Sequence, residues 1–355
     1  MAHDERLVAR VLADARDLVR GEIAELVARR RATGYGPLYD LVADYPLREG
    51  KGLRPAICLS AAIAAGGRTE QALGSATALE LLHNGFLVHD DIEDASTFRR
   101  GRATLFADRG VPVAINVGDA TNILSVGVLL ENVSTVGVRK ALLVLREFER
   151  MARESVEGQA IELDWIAAGT FDLQDRDYVR MVYKKTCWYT VIAPLRIGVI
   201  CGSPPGEGRP TEEELLALVA LGFHAGVAFQ ITDDVLNLVA DEGAYGKESA
   251  GDLWEGKRTV MLLHFLRTAP TPDRERALRL LTVPRPDKDA DEVAWLAAAM
   301  ERDGSIDHGR ALAQRYSRKA LELESRVLGP SRDDDSADYR HFLREMLHYV
   351  IDRTL

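Results

Sequence analysis

Apolar side chains recur every three or four residues along most of this 355-residue chain, which is the spacing of one helix face. The pattern is first seen in Leu7–Ile23, and it returns in Ala72–Asp94, Lys140–Ala168, Asp177–Gly202, Glu212–Asp241, Gly256–Arg267 and Ala311–Val327. Alternating apolar and polar runs, which would predict strands, are nearly absent. The sequence therefore predicts an all-α protein, a large helical bundle around a central cavity.

Turn-forming residues separate these helical segments without marking a boundary between domains. Connectors are predicted at Gly34–Pro37, Gly66-Gly67, Ser203–Pro210 and Thr268–Asp291. Neither a shift in composition nor a fixed-period repeat divides the chain. We therefore expect one domain spanning residues 1–355.

Charge and composition exclude several classes of protein. The net charge is −10 and no long Lys/Arg run is present, which argues against a nucleic-acid partner. The three cysteines, Cys58, Cys187 and Cys201, have no CxxC spacing, so a disulfide framework or a zinc site is not indicated, and a cytoplasmic location is expected.

The sequence also argues against export and against a membrane span. The N-terminus is charged from its fourth residue and lacks the apolar core of a signal peptide. The most apolar stretch, Val111–Leu130, contains Pro112, Asn116 and Asp119. It is therefore interpreted as a buried helix rather than a transmembrane segment.

An acidic cluster closes the second helical segment. Asp90 and Asp94 are four residues apart, so they share a helix face with Cβ atoms roughly 5–6 Å apart, and Asp91 and Glu93 are adjacent. Like charges at this spacing destabilise a helix unless a cation lies between them. Since the cluster follows the apolar run Phe86-Leu87-Val88, we expect it at the mouth of a buried pocket rather than on a solvated helix end.

A second cluster repeats the pattern about 140 residues later. Asp233, Asp234 and Asn237 interrupt a helix that is otherwise apolar. Magnesium typically takes one or two carboxylates and keeps waters and phosphate oxygens as its other ligands. Two such helices facing each other predict a site for magnesium and a diphosphate.

Basic residues accompany the acidic clusters. Lys51 and Arg54 lie in the segment GKGLRP just before a predicted helix start, where unpaired backbone N–H groups favour an anion. The other candidates are His83, Arg99, Arg100, Lys185, Thr186, Lys247 and Lys257. Guanidinium and ammonium groups next to metal-binding carboxylates are what a diphosphate site requires.

The order of these motifs resembles the trans-type polyprenyl diphosphate synthase family. The motifs are GKxLRP, H-x6-DDxxD-x4-RRG, GQ, KKT, QxxDDxxN, GK and DLxEGKxT, and they span Leu47–Thr259. The resemblance implies that isopentenyl diphosphate is held by Lys51, Arg54, His83 and Arg100. It implies that the allylic diphosphate is held by Arg99, Lys185, Thr186, Gln230, Lys247 and Lys257. The implied ligands of magnesium, with three ions expected, are Asp90, Asp94 and Asp233.

The reaction implied by the resemblance is a head-to-tail condensation. The allylic diphosphate ionises, and the alkene of isopentenyl diphosphate attacks the resulting cation. Asp90, Asp94, Asp233, Lys185 and Lys247 are the expected catalytic residues. Asn237, where many relatives have a third aspartate, keeps an oxygen ligand and is not expected to inactivate the enzyme.

The length of the product is expected to depend on two residues, Gly85 and Phe86, that precede the first acidic cluster. Phe86 lies one turn before Asp90, roughly 6 Å down the helix, and its ring is the expected floor of the pocket. Gly85 is expected to open the other side of that turn. An aromatic floor favours a shorter product, whereas the two acidic motifs resemble those of geranylgeranyl synthases. On balance, a C20 product is favoured over a C15 product.

Other functions compete with this interpretation. A class I terpene cyclase would also carry DDxxD, with Asp233, Asn237 and Asp241 as a metal triad, but it has no need of GKGLRP or His83. A ferritin-like di-iron protein would use Glu80-x-x-His83 and Glu345-x-x-His348. A catalytically silent synthase subunit would keep every motif. The family resemblance further implies a homodimer.

Overall fold

Helices account for most of the chain in the computed structural model, which describes residues 4–48, 50–204, 210–239, 250–328 and 337–352. From the N-terminus the helices are α1 Glu5–Thr33, α2 Gly36–Val42, α3 Asp44–Leu47, α4 Leu53–Ala64, α5 Thr69–Glu93, α6 Leu105–Arg109, α7 Val111–Glu131, α8 Val133–Ala167 and α9 Asp175–Val182. They continue as a π-helix Tyr183–Ile192, α10 Ala193–Gly202, α11 Glu212–Val239, α12 Gly251–Glu255, α13 Val260–Thr268, α14 Thr271–Leu281, a 3-10 turn Arg285–Asp287, α15 Ala290–Arg302, α16 Ser305–Val327 and α17 Ala337–Asp352. The predicted all-α fold is confirmed.

A two-stranded hairpin is the one sheet in the described residues. Strand β1, Phe98–Arg99, runs antiparallel to β2, Arg102–Ala103. Arg100 and Gly101 form the turn between them with positive φ angles of 52° and 72°. The hairpin follows the C-terminal end of α5 directly and turns the chain back towards that helix.

Close helix contacts build the interior around α5. This helix packs against α4 on one side and α7 on the other, while α4 also packs against α10. The contact between α4 and α10 is backbone to backbone, because a Cβ on Gly198 or Gly202 would lie 2.3 Å from Cys58 O or 2.0 Å from Ala62 O. These glycines therefore allow α4 and α10 to lie closer together than any larger residue would permit.

One continuous helical path, α9 to α10, changes its winding in the middle. Its ten central residues form the π-helix, a wider turn that is frequent at functional sites. Helix α8 lies directly against it, since a Cβ on Gly158 would meet Lys185 N at 2.2 Å. The π-helix and α8 together form one wall of the central cavity.

One predicted connector is wrong. The stretch Thr268–Asp291 was expected to be a loop because of its prolines and mixed charges, but it contains helix α14. Pro272 falls in the first turn of α14, where the missing N–H costs no hydrogen bond. Ala277, Leu280 and Leu281 are buried along one face, and their burial stabilises the helix.

The apolar segment Val111–Leu130 forms α7 as predicted, but the helix is only partly buried. Helices α7 and α11 are long and apolar enough to cross a membrane, and 39% and 50% of their most apolar windows are buried within the structure. Core helices of soluble proteins have the same properties, and α11 packs between the π-helix and α16. The exposed side of α7 carries Val113, Ile115, Ile123, Val126 and Leu130.

Candidate active site

A cavity of about 960 Å³ lies between α4, α5, α8, the π-helix and α11. Its volume is at the upper end of the range for small-molecule sites. The predicted site residues in its wall are Lys51, Arg54, His83, Phe86, Asp90, Arg99, Arg100, Lys185, Thr186, Gln230, Asp233 and Lys257. Sequence positions more than 200 residues apart therefore meet in one cavity.

The last turn of α5 supplies the first acidic cluster. Asp90 accepts a hydrogen bond from Arg99 Nη2 at 3.2 Å, and its other oxygen lies 3.9 Å from Lys185 Nζ. Asp94 is the C-cap residue of α5, is buried, and accepts from Lys257 Nζ at 2.7 Å. The acidic cluster is therefore surrounded by cations from three other segments.

The second acidic cluster lies on α11 across the cavity. Asp233 lines the cavity, and on the preceding turn Gln230 accepts a hydrogen bond from Thr186 Oγ1 at 2.8 Å. Asn237 is buried, and its side-chain oxygen accepts from Asp252 N at 3.0 Å. Asn237 thus holds the N-terminus of α12, a contact that its expected role as an oxygen ligand did not anticipate.

The turn before α4 carries the segment GKGLRP. Gly52 adopts a left-handed conformation with φ 65°, and a Cβ there would lie 2.7 Å from Arg16 Cβ, so glycine is required. This turn places Lys51 and Arg54 at the cavity wall. The guanidinium of Arg54 lies over the Tyr189 ring at 4.2 Å and donates to Thr190 Oγ1 at 3.0 Å.

Two buried polar atoms beside this turn have no hydrogen-bond partner. They are Arg54 Nε and His83 Nδ1, and both residues line the cavity. An unpaired buried polar atom costs about 1–3 kcal/mol, so such atoms in a cavity wall indicate a polar ligand. Burial and the neighbouring Arg54 and Arg100 lower the pKa of His83 well below its usual value, and the ring is neutral.

Charge pairing governs the protonation of the acidic side. Burial raises the pKa of Asp94, while the nearby Lys257 opposes that rise. Burial alone would lower the pKa of Lys185, but the Glu162 and Asp90 carboxylates outweigh it and raise the pKa above the ordinary lysine value. Lys185 and Lys257 are therefore charged at neutral pH.

The donor set fits magnesium together with a diphosphate. Within the described ranges, no three His, Cys, Asp or Glu side chains converge as a metal-binding group. A protein-only metal cage is thus absent there, whereas magnesium needs only one or two carboxylates when phosphate oxygens complete its shell. Asp90 and Asp233 in the cavity wall, with Asp94 beside it, offer such carboxylates.

Gly85 is a predicted site residue that does not line this cavity. A Cβ on Gly85 would lie 2.1 Å from Asn122 Oδ1 of α7, so Gly85 faces the contact between α5 and α7. The expectation that Gly85 opens the pocket is therefore wrong: the missing side chain makes room for a neighbouring helix. Lys247 lies outside the described residues.

Two further residues of the cavity wall, Gln159 and Glu162, were given no role in the sequence analysis. Glu162 is buried and forms an ion pair with Lys185, and Gln159 donates to Glu93 Oε2 at 2.6 Å. Both follow Gly158 on one face of α8. The pair Gly158-Gln159 is one of the motifs. Glu162 follows Gln159 by three residues and so lies on the same helix face, which is the sequence signal that could have identified it.

Buried cations hold the segment that carries Lys257. Arg258 donates to the backbone oxygens of Gly256, Thr170 (3.0 Å) and Trp165 (3.1 Å). Lys288 Nζ donates to two carbonyls near the end of α12, those of Leu253 and Trp254. Burial lowers the pKa of Arg258 to about 10 and that of Lys288 to about 8.

The helical fold and this cavity, with acidic clusters on facing walls and cations between them, define a prenyltransferase. The sequence profile of the polyprenyl synthetase family matches residues 37–300. The chain belongs to that family. Membership sets aside the cyclase and di-iron alternatives.

Individual relatives agree with this assignment. A short chain isoprenyl diphosphate synthase of Methanothermobacter thermautotrophicus is 33% identical over 305 residues, covering 86% of each chain. A (2E,6E)-farnesyl diphosphate synthase of Mycobacterium bovis is 32% identical over 307 residues, covering 86% of this chain and 80% of that one. The crystal structure of a geranylgeranyl pyrophosphate synthetase from Pyrococcus horikoshii has a TM-score of 0.83 and 31% identity, and it covers 98% of this chain and 99% of the other.

Replacing Arg258 by Met removes the donor to three backbone carbonyls. We expect the free energy of unfolding to fall by about 3 kcal/mol and turnover to fall about tenfold or more, because Lys257 loses its support. Urea denaturation and a prenyl-transfer assay measure the two effects. The control is Arg274→Met, an exposed residue of α14; unchanged turnover in Arg258→Met would contradict the supporting role.

Proposed function

We propose that this enzyme joins isopentenyl diphosphate head to tail to an allylic diphosphate, giving a short-chain trans-prenyl diphosphate. The observation that supports this most strongly is the division of the cavity into two polar regions. One region pairs Asp90 and Asp94 with Arg99, Lys185 and Lys257. The other holds the unpaired atoms of Arg54 and His83. Two regions suit two diphosphates.

Magnesium is the proposed cofactor, with three ions when substrate is bound. Asp90, Asp94 and Asp233 would hold it. When bound, it supplies positive charge that draws electrons onto the diphosphate of the allylic substrate. Asp90 and Asp94 pair with Arg99, Lys185 and Lys257. Metal and diphosphate are therefore expected to bind together, because each takes one partner of these pairs.

The allylic substrate binds on the acidic side in this proposal. Arg99, Lys185 and Lys257 donate to its diphosphate oxygens, and Thr186, Gln230 and Lys247 complete the contacts. Cleavage of the C–O bond leaves the electron pair on the diphosphate and an allylic cation in the cavity. Fixed positive groups stabilise the developing negative charge, which is the principal source of rate enhancement.

Isopentenyl diphosphate binds on the other side through Lys51, Arg54, His83 and Arg100. Its alkene carbon attacks the allylic cation and forms the new C–C bond. The resulting cation loses a proton, which the departing diphosphate accepts, so that charge and atoms balance. Catalysis therefore rests on Asp90, Asp94, Asp233, Lys185 and Lys247, with no protein nucleophile.

A C20 product is proposed, with C15 as the competing outcome. Phe86 lines the cavity one turn below Asp90, and the edge of Tyr189 meets it with ring centroids 6.2 Å apart. The two rings form the proposed floor for the growing chain. Relatives named for C15 and for C20 products are about equally similar to this chain.

A homodimer is proposed on the exposed apolar face of α7. Ile123 is 72% exposed and Leu130 61%, and the face continues onto α8 with Val138 and Leu142. Contiguous apolar surface of this kind marks a protein interface. The whole chain is taken as one domain of a soluble, cytoplasmic enzyme.

Replacing Asp90 by Asn tests the metal site. With magnesium, isopentenyl diphosphate and C5, C10 or C15 allylic diphosphates, wild type should form longer prenyl products and lose activity on chelation. Asp90→Asn should lower turnover about a hundredfold or more, because a charged ligand is lost. Glu70→Gln on the exposed start of α5 is the control; near-normal turnover in Asp90→Asn would refute the assignment.

Replacing Phe86 by Ala tests the floor of the pocket. Removal of the ring should extend the product by one or more five-carbon units, measured by chromatography of the dephosphorylated products. Phe98→Ala changes an exposed phenylalanine of β1 and should leave the products unchanged. Unchanged products from Phe86→Ala would place the floor elsewhere.

Replacing Ile123 by Arg tests the dimer. Sedimentation should give a dimer mass for wild type and a monomer mass for Ile123→Arg, because a charge in an apolar interface is not solvated. Leu216→Arg, an exposed position on α11, should remain dimeric. A monomeric wild type would exclude the homodimer.

A further inference from the structure

The second aspartate of each acidic pair has no part in the mechanism above. Asp91 is fully buried and Asp234 nearly so. Each accepts a hydrogen bond from a buried tyrosine: Tyr45 Oη donates to Asp91 Oδ2 at 2.5 Å, and Tyr178 Oη donates to Asp234 Oδ2 at 2.6 Å. The two tyrosines come from different helices, α3 and α9, and the same arrangement therefore occurs on both walls of the cavity.

The other oxygen of each carboxylate holds a residue that faces the substrate. Asp91 Oδ1 accepts from Arg99 Nε at 2.6 Å. Asp234 Oδ1 accepts from Gln230 Nε2 at 2.7 Å, and Gln230 in turn accepts from Thr186 Oγ1. Each tyrosine is thus connected to a cavity residue through one buried carboxylate.

A carboxylate bound at both oxygens cannot rotate about its terminal bond without breaking a hydrogen bond. Tyr45 is itself fixed, because its hydroxyl also accepts from Leu105 N at 3.3 Å and the Arg48 guanidinium lies over its ring at 4.5 Å. Tyr178 is almost completely buried. Both phenols are therefore rigid anchors, and rigidity in such supporting contacts determines how well a charged group is aimed.

We propose that Tyr45 and Tyr178 are positioning residues for the allylic diphosphate, acting through Asp91 on Arg99 and through Asp234 on Gln230 and Thr186. The inference rests on the proposed function, which assigns Arg99, Gln230 and Thr186 to that substrate. Tyr45 is not among the residues that line the cavity, and Tyr178, which lines it, is almost completely buried and directs its hydroxyl to Asp234. The effect of removing either hydroxyl is expected at the allylic site, because the carboxylates bind Arg99 and Gln230. Arg100 of the isopentenyl diphosphate site donates to the backbone carbonyl of Tyr45 at 3.4 Å, a contact that does not involve the hydroxyl.

The test replaces each phenol by Phe and measures both substrates separately. Tyr45→Phe and Tyr178→Phe should each raise the KM for the allylic diphosphate about tenfold, the equivalent of one lost hydrogen bond to a charged group, and leave the KM for isopentenyl diphosphate within about twofold. Tyr316→Phe, a partly buried tyrosine of α16, is the control. Equal changes in both KM values, or no change in either, would overturn the inference.

A double-mutant cycle separates positioning from general destabilisation. If Tyr45 acts through Arg99, Tyr45→Phe should add no further increase in allylic KM to Arg99→Gln, and Tyr178→Phe none to Gln230→Met. Additive effects would overturn the inference while the proposed function stands. Should Tyr45→Phe fail to fold, the Tyr178 cycle decides alone.

A wild-type chain without turnover would refute the proposed function, and the positioning role would then need a separate test. In that case calorimetry with magnesium and inorganic diphosphate replaces the KM. Tenfold weaker binding in both Phe variants, with Tyr316→Phe unchanged, would support the positioning role. Unchanged binding in the two variants would overturn it.

Discussion

Opposite charges that meet across the central cavity are the interaction on which the rest of the site depends. Lys257 donates to Asp94, Lys185 lies between Glu162 and Asp90, and Arg99 binds Asp90. Charges this poorly solvated are stable only when they are paired. The same pairs join α5, the π-helix, α8 and the segment after α12. Magnesium and a diphosphate would exchange these partners: the carboxylates would bind metal, and the cations would bind phosphate.

Packing of small residues makes these pairs geometrically feasible. Gly158 lets α8 approach the backbone of the π-helix, which brings Glu162 within reach of Lys185. Farther along, Arg258 and Lys288 bind backbone carbonyls rather than carboxylates, and they hold the turn that presents Lys257. The charged side chains of the acidic side are thus held in position by packing and backbone contacts to which these charges do not contribute.

Much of this arrangement could be predicted from the sequence, and the exceptions have physical causes. Apolar periodicity predicted the principal helices because burial of one face decides them, and the two acidic motifs predicted facing walls. Helix α14 was missed because its proline was interpreted as a break, although the first turn of a helix accepts it. Gly85 was expected to open the pocket, but its missing side chain makes room for Asn122 of α7. Asn237 lines the cavity, and it also caps α12, a contact that the motif alone does not indicate. Glu162 and the two anchoring tyrosines depend on contacts between distant segments, which a single sequence does not contain.

Calorimetric titration of the protein with magnesium chloride, with and without a non-ionisable allylic diphosphate analogue, tests the exchange of partners most directly. Since Lys185 and Lys257 pair with the carboxylates of Asp90 and Asp94, magnesium should bind at least about tenfold more tightly when the analogue is present to take up the two lysines. The analogue should gain the same factor from magnesium, because coupling between two ligands is reciprocal. Equal magnesium affinity with and without the analogue would contradict this account.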